Sequence, residues 1–111
     1  MGTDCIQKHL FPDIKFDCIN YQLIVEIDEF KHRGSAYRCD EQRMLDIIAK
    51  LGQPCIFIRY NPDNKKSNLN ILLDEINIYL VPVLNGEIKS LDEYNFNSNS
   101  GLMVKYLFYD N

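Results

Sequence analysis

Leu23-Ile24-Val25-Glu26-Ile27-Asp28-Glu29-Phe30-Lys31-His32 runs an apolar strand pattern straight into a cluster of carboxylates, and a histidine follows four residues after Asp28. Strand interiors disfavour Asp and Glu, and an unpartnered buried charge costs several kcal/mol. A strand that ends this way has a use for the charge, and the least demanding use is holding a divalent cation. Strict alternation puts Leu23, Val25 and Ile27 on one face and Ile24, Glu26 and Asp28 on the other.

Upstream, Asp13 to Cys18 alternates in the same way, with Asp13, Lys15 and Asp17 on one face and Ile14, Phe16 and Cys18 on the other. Ile19-Asn20 then reads as a tight turn, although Asn-Gly would be the stronger hairpin signal. With that turn Cys18 faces Tyr21, paired positions sum to 39, and Asp13 falls opposite Glu26. Facing side chains in an antiparallel pair have Cβ atoms about 4.5–5.5 Å apart, where like charges repel. Asp28 lies two residues beyond Glu26 on the same face, so three carboxylates converge at one end of the hairpin. Mg²⁺ prefers such hard oxygen ligands and would turn the repulsion into a site.

Downstream, residues 29–37 form a polar loop carrying Gly34. A helix is expected from about Cys39 to Leu51, where Met44, Ile47, Ile48 and Leu51 recur at amphipathic spacing. Asp40 and Glu41 suit its start, Lys50 its end, and Gly52 its stop. Pro54 to Tyr60 reads as a buried strand closed by Asn61-Pro62-Asp63. A strand, a helix and a strand in this order predict a right-handed crossover to a parallel neighbour. Residues 64–70 read as loop, Leu72 to Leu80 as a helix yielding at Pro82, and the Asn-, Ser- and Gly-rich residues 85–101 as loop. Leu102 to Tyr109 completes the set as a strand. Residues 1–111 therefore read as one α/β domain, without repeats or heptads.

Composition agrees: 46 % hydrophobic and 25 % charged residues are ordinary for a globular domain. No apolar run approaches the roughly 20 residues of a membrane span. No basic-then-apolar leader marks secretion, and Met1-Gly2 is followed by Ile6 where a myristoylation motif needs Ser or Thr. Cys5, Cys18, Cys39 and Cys55 are widely spaced, without the pairs of a structural zinc site. Cys18 and Cys55 read as small core residues. Reduced thiols in the cytoplasm or nucleus are the expectation.

The net charge of −4 is unevenly spread. Residues 1–30 carry 2 basic and 6 acidic side chains, residues 31–66 carry 8 and 4, and residues 67–111 carry 2 and 6. Lys31, Arg33, Arg38, Arg43, Lys50, Arg59, Lys65 and Lys66 thus form a cationic band just after the carboxylates. That arrangement suits a polyanion with a metal at its reacting phosphate; a solvated surface of mixed charge is the plainer alternative. His32 as a neutral imidazole could take a proton from metal-activated water, or could be an ordinary surface histidine. Asp40 and Arg43 stand one helical turn apart and could pair with each other. Arg59, in an otherwise apolar strand, belongs to a functional edge or pairs with a pocket carboxylate.

Together these residues carry a resemblance. Pro12-Asp13 followed by Glu26-x-Asp28 resembles the motif of the PD-(D/E)xK restriction-endonuclease-like superfamily. The nearer likeness is to its very-short-patch repair endonuclease branch and to nuclease-like proteins of large DNA viruses. The likeness extends through His32, Asp40-Glu41-Gln42-Arg43, Gly52 and Phe57-Ile58-Arg59-Tyr60, and covers roughly residues 12–80. It implies an αβββαβ core with a mixed central sheet flanked by helices, Mg²⁺-dependent (or Mn²⁺-dependent) phosphodiester hydrolysis, and DNA as substrate. Carried over, Asp13 and Glu26 are metal ligands, joined by Asp28, and His32 handles the water. Two departures stand out. Asp28 replaces the motif lysine, which leaves Lys31 or His32 to serve, and residues 1–11 leave little room for the first helix, which is reduced or absent.

The leading expectation is a Mg²⁺-dependent DNA endonuclease. Its catalytic set is Asp13, Glu26, Asp28, Lys31, His32 and Arg43, and its backbone contacts are Lys31, Arg33, Arg38, Arg59, Lys65 and Lys66. The alternative is a catalytically silent nuclease fold that binds DNA or a protein partner. A homodimer, or a place within a longer polypeptide, is compatible with either.

Overall fold

The computed structural model describes residues 13–27, 35–87 and 90–109, with residues 35–39 described by their helical backbone alone. The chain forms β1 (Ile14–Asp17), β2 (Gln22–Ile27), α1 (Ser35–Leu51), β3 (Cys55–Tyr60), α2 (Leu69–Leu84) and β4 (Leu102–Leu107). The strands build one mixed sheet in the order β1-β2-β3-β4. β1 runs antiparallel to β2, while β2, β3 and β4 are parallel.

The hairpin takes the expected register. Ile14 pairs with Val25, Lys15 with Ile24, Phe16 with Leu23 and Asp17 with Gln22. The Cys18 N–H donates to the Tyr21 carbonyl at 2.9 Å and closes the two-residue loop. Ile19 takes a φ of 73° there, and its N–H is held by Asp17 Oδ1 at 3.0 Å.

The core lies on both faces of the sheet. Ile24, Cys55 and Phe57 pack with Met44 and Ile47 of α1. Leu23, Val25, Ile56, Ile58 and Tyr60 pack with Leu72 and Tyr79 of α2. All six residues of β3, Arg59 among them, are buried, as fits a parallel strand covered on both sides. The crossovers from β2 to β3 and from β3 to β4 step across the sheet in the same direction but on opposite faces. They are therefore of opposite hand, and only one follows the right-handed rule.

Several boundaries differ from those read in the sequence. β1 is shorter by a residue at each end, and β2 ends at Ile27. α1 starts at Ser35, four residues before the expected start at about Cys39. α2 starts at Leu69, capped by the Asn68 side chain, which accepts from the Asn70 N–H at 2.8 Å. It also runs through Pro82 to Leu84. Proline here removes one N–H near the helix end, and the carbonyls of Val81, Pro82 and Val83 are taken up by the N–H groups of Asn85, Glu87 and Gly86. Gly52, at φ 73°, does end α1. Its N–H donates to the Ile48 carbonyl at 2.8 Å.

The segment from 85 to 101 is more than loop. Leu91–Glu93 forms a 3-10 turn with a capping box between Ser90 and Glu93. Beyond it Tyr94 stacks edge-on against Tyr21 at 5.5 Å and Tyr79 at 5.3 Å. The buried Tyr21 hydroxyl donates to the Tyr79 carbonyl at 2.6 Å, tying β2 to α2. β4 ends at Leu107, before Phe108 turns to φ 66°. Among the described residues, no helix is long and apolar enough to cross a membrane.

Candidate functional site

The parallel strands β2 and β3 end at one edge of the sheet, where α1 begins and where β1 enters. Open α/β sheets bind their ligands at such carboxyl edges. The last rungs of the β2–β3 ladder set Glu26 beside Arg59 and Ile27 beside Tyr60. Glu26 and Arg59 alternate with Ile24 and Phe57, so both face α1. Each is only 3 % exposed, which places a full charge of either sign inside the fold.

Helix α1 supplies their partners. Asp40 and Arg43 share the face that carries Met44 and Ile47 into the core, as spacings of three, four and seven require. Arg43 Nη1 donates to both Glu26 carboxylate oxygens, at 2.7 Å to Oε2 and 2.9 Å to Oε1. Arg59 Nε lies 3.8 Å from Glu26 Oε1, and Arg59 Nη2 lies 3.5 Å from Asp40 Oδ2. The result, among the described residues, is a run of alternating sign, Arg43–Glu26–Arg59–Asp40. Arg43 and Asp40 are thus both directed at the sheet, and of the two readings for Arg59 the structure has the ion pair with a pocket carboxylate.

Asp13 occupies the position just beyond the β1–β2 ladder, in line with Glu26. Its Oδ2 accepts from the Ile27 N–H at 3.0 Å, so an exposed carboxylate is fastened at the edge. Asp28, Lys31, His32 and Arg33 lie outside the described residues, as does the side chain of Arg38. Lys65 and Lys66 are exposed on the loop that leaves β3 at this same edge.

That loop is held by residues whose role the sequence reading missed. Buried Asn61 donates from Nδ2 to the Phe108 carbonyl at 3.1 Å, while its Oδ1 accepts from the Asp63 N–H at 3.0 Å. Asn64 Nδ2 donates to the same carbonyl, and Asn64 Oδ1 accepts from the Lys66 N–H at 2.7 Å. The available signal was the Asn-Pro-Asp-Asn composition, since Asn and Asp side chains bond the backbone two residues on.

The donor chemistry suits a hard cation in kind. The carboxylates of Asp13 and Glu26, from adjacent strands, are the oxygen ligands that Mg²⁺ and Mn²⁺ take. Among the described residues no three His, Cys, Asp or Glu side chains gather into a metal-binding group, and Asp28, the third carboxylate of the expected trio, is not among them. Arg43 Nη1 donates to both Glu26 oxygens, so a cation at Glu26 would compete with that guanidinium.

The buried cysteines take no part in such chemistry. Burial pushes the Cys55 thiol from its ordinary 9.0 up to about 12 and raises that of Cys18, which keeps both as neutral core groups. Comparisons of the chain with protein-family models, curated proteins and solved structures each return no match.

Proposed function

We propose that the chain is a divalent-metal-dependent DNA endonuclease of the restriction-endonuclease-like kind, acting at the carboxyl edge of its sheet. One observation carries the reading: the hairpin register sets Asp13 in line with Glu26 at the edge where two arginines converge. The described elements run ββαβαβ. Their first four are compatible with the latter part of an αβββαβ core.

In this reading Asp13, Glu26 and Asp28 would hold Mg²⁺ or Mn²⁺. When bound, that ion would polarise the phosphate and lower the pKa of the attacking water. His32 would serve as the proton acceptor for the attacking water. Lys31, Arg43 and Arg59 stabilise negative charge on the phosphate, and guanidinium groups suit its paired oxygens. Arg33, Arg38, Lys65 and Lys66 contact the DNA backbone, which fixes position without reading sequence.

The bond from Arg43 to both Glu26 oxygens favours a second reading, a non-cleaving nuclease fold that binds DNA or a protein partner. Two measurements address the functional reading and its site. Calorimetry should show Mn²⁺ binding that is lost in Asp13→Ala. Duplex DNA should bind with an affinity that falls as salt rises. Unchanged metal binding in Asp13→Ala removes the site assignment, and no duplex binding at low salt removes the nucleic-acid reading.

A further inference from the structure

We infer that Asn85-Gly86, at the carboxyl end of α2, is a site of spontaneous deamidation, and that its isoaspartyl product unfastens that helix end. This property is independent of the nuclease reading.

Asn85 is followed by glycine, and no other asparagine of the chain is. Both residues are exposed, and nothing lies within 4 Å of the place where a side chain on Gly86 would begin. Glycine is the least hindered neighbour an asparagine can have, and its backbone rotates most freely. The Asn85 side chain makes no hydrogen bond among the described residues. The side-chain oxygens of Asn61, Asn64, Asn68 and Asn97 each accept from a backbone N–H two residues on. Asn85 is thus the asparagine whose amide is least held and whose neighbour is most open.

The folded helix end restrains the reaction. Asn85 has a ψ of 5°, and the Gly86 N–H donates to the Val83 carbonyl at 3.0 Å. Ring closure therefore passes through fraying of this turn, as helix ends do fray. Pro82 eases it, since proline has no N–H to donate one turn back.

In the frayed turn the Gly86 nitrogen attacks Asn85 Cγ. A C–N bond forms, the Gly86 nitrogen gives up its proton, and Nδ2 leaves as ammonia, which produces a cyclic succinimide. Water then opens the ring. Addition at Cγ breaks the new bond and leaves aspartate. Addition at the main-chain carbonyl carbon breaks the original peptide bond and leaves isoaspartate, with the main chain routed through Cβ and Cγ. Overall one amide and one water become one carboxylate and one ammonium, with no change of oxidation state.

Isoaspartate inserts an extra carbon between the Asn85 Cα and the Gly86 nitrogen. The bonds from the Asn85 N–H to the Val81 and Pro82 carbonyls lie before the insertion and persist. The bonds from Gly86 to the Val83 carbonyl at 3.0 Å, and from Glu87 to the Pro82 carbonyl at 2.8 Å, lie beyond it and lose their register. Either product also adds a negative charge at the negative end of the helix dipole, where the last turn has no basic residue and Glu87 follows. Val83 packs against the core beneath α2, so the loosening reaches the edge of the core.

The test is prolonged incubation of the full chain at mildly alkaline pH, followed by peptide mass spectrometry that separates aspartate from isoaspartate. Modification should accumulate at Asn85 ahead of every other asparagine. Asn85→Gln, whose longer side chain closes the ring far more slowly, should stay intact at that position. Urea should speed the reaction in the wild type, because it removes the bond that restrains Gly86. Hydrogen exchange of the isoaspartyl protein should show protection lost at the Gly86 and Glu87 amides. Asn85→Asp, which adds the charge without lengthening the main chain, should keep more of that protection. An intact Asn85 while Asn97 or Asn99 deamidates would overturn the site. Equal rates in folded and urea-unfolded protein would overturn the restraint by the helix end, and unchanged protection at Gly86 and Glu87 in the isoaspartyl form would overturn the unfastening.

Discussion

Arg59 illustrates how a charge can be placed in the middle of a sheet. It follows four buried apolar residues in β3 and is itself 3 % exposed. Its cost is offset by Glu26 on the neighbouring strand and Asp40 on the helix above. Removing one member of a buried ion-pair set leaves an uncompensated charge, which costs about 3–5 kcal/mol. Arg59→Ala should therefore lower the urea midpoint far more than Lys65→Ala, a change at an exposed loop residue; equal midpoints would mean that the cluster carries no stability.

The thiols and phenols make a second prediction at this scale. Burial raises the pKa of Cys18, Tyr21 and Tyr79 and brings Cys55 up to about 12. In the unfolded chain these groups ionise nearer their ordinary values, so above about pH 9 the unfolded state sheds protons that the native state keeps. Their contribution is intact below that pH and is lost progressively as pH rises toward 12. Denaturation midpoints should fall over this window, and the fall should be shallower in Cys55→Ala. A slope unchanged by that substitution would contradict the assignment.

At the scale of elements, the hairpin was the most legible part of the chain. Period-two alternation on both sides of Ile19-Asn20 leaves one register in which the two apolar faces coincide, and the structure adopts it. The turn chemistry is less well matched. Ile19 is β-branched yet holds a φ of 73°, a conformation that costs an L-residue roughly 1–2 kcal/mol. Ile19→Gly should stabilise the protein by about 1 kcal/mol, less the entropy that glycine loses on folding. A thermal melt that shifts downward would show that the exposed Ile19 side chain contributes more than its strain costs. The helix ends were harder to read. Pro82 signals a stop, but proline near a carboxyl terminus removes only one bond, and the last carbonyls find Asn85, Gly86 and Glu87 beyond it. Nor does the polar composition of residues 85–101 reveal that Tyr94 and Phe96 pack into the core.

Over the whole molecule, the parallel step from β2 to β3 followed from the length and type of the segment between them. The placing of α1 and α2 on opposite faces did not, because periodicity shows that a helix has an apolar face without showing which side of the sheet receives it. The candidate site was legible in part. Strand register put Asp13 in line with Glu26, and the odd arginine in β3 was flagged from its apolar surroundings. The pairing of Arg43 with Glu26, and of Asp40 with Arg59, depends on the crossing of helix and sheet, which no local pattern encodes. It also revises the charge map, since among the described residues Arg43 and Arg59 of that band are directed inward at carboxylates.

Strand cleavage of supercoiled, mismatched and branched DNA in Mg²⁺ or Mn²⁺ tests the endonuclease proposal most directly, with wild type, Asp13→Ala and Glu26→Gln measured in parallel. The proposal predicts metal-dependent nicking or linearisation by the wild type and its loss in both variants while each still folds. Intact DNA on all three substrates with the folded wild type, or cleavage that survives Asp13→Ala undiminished, would contradict it.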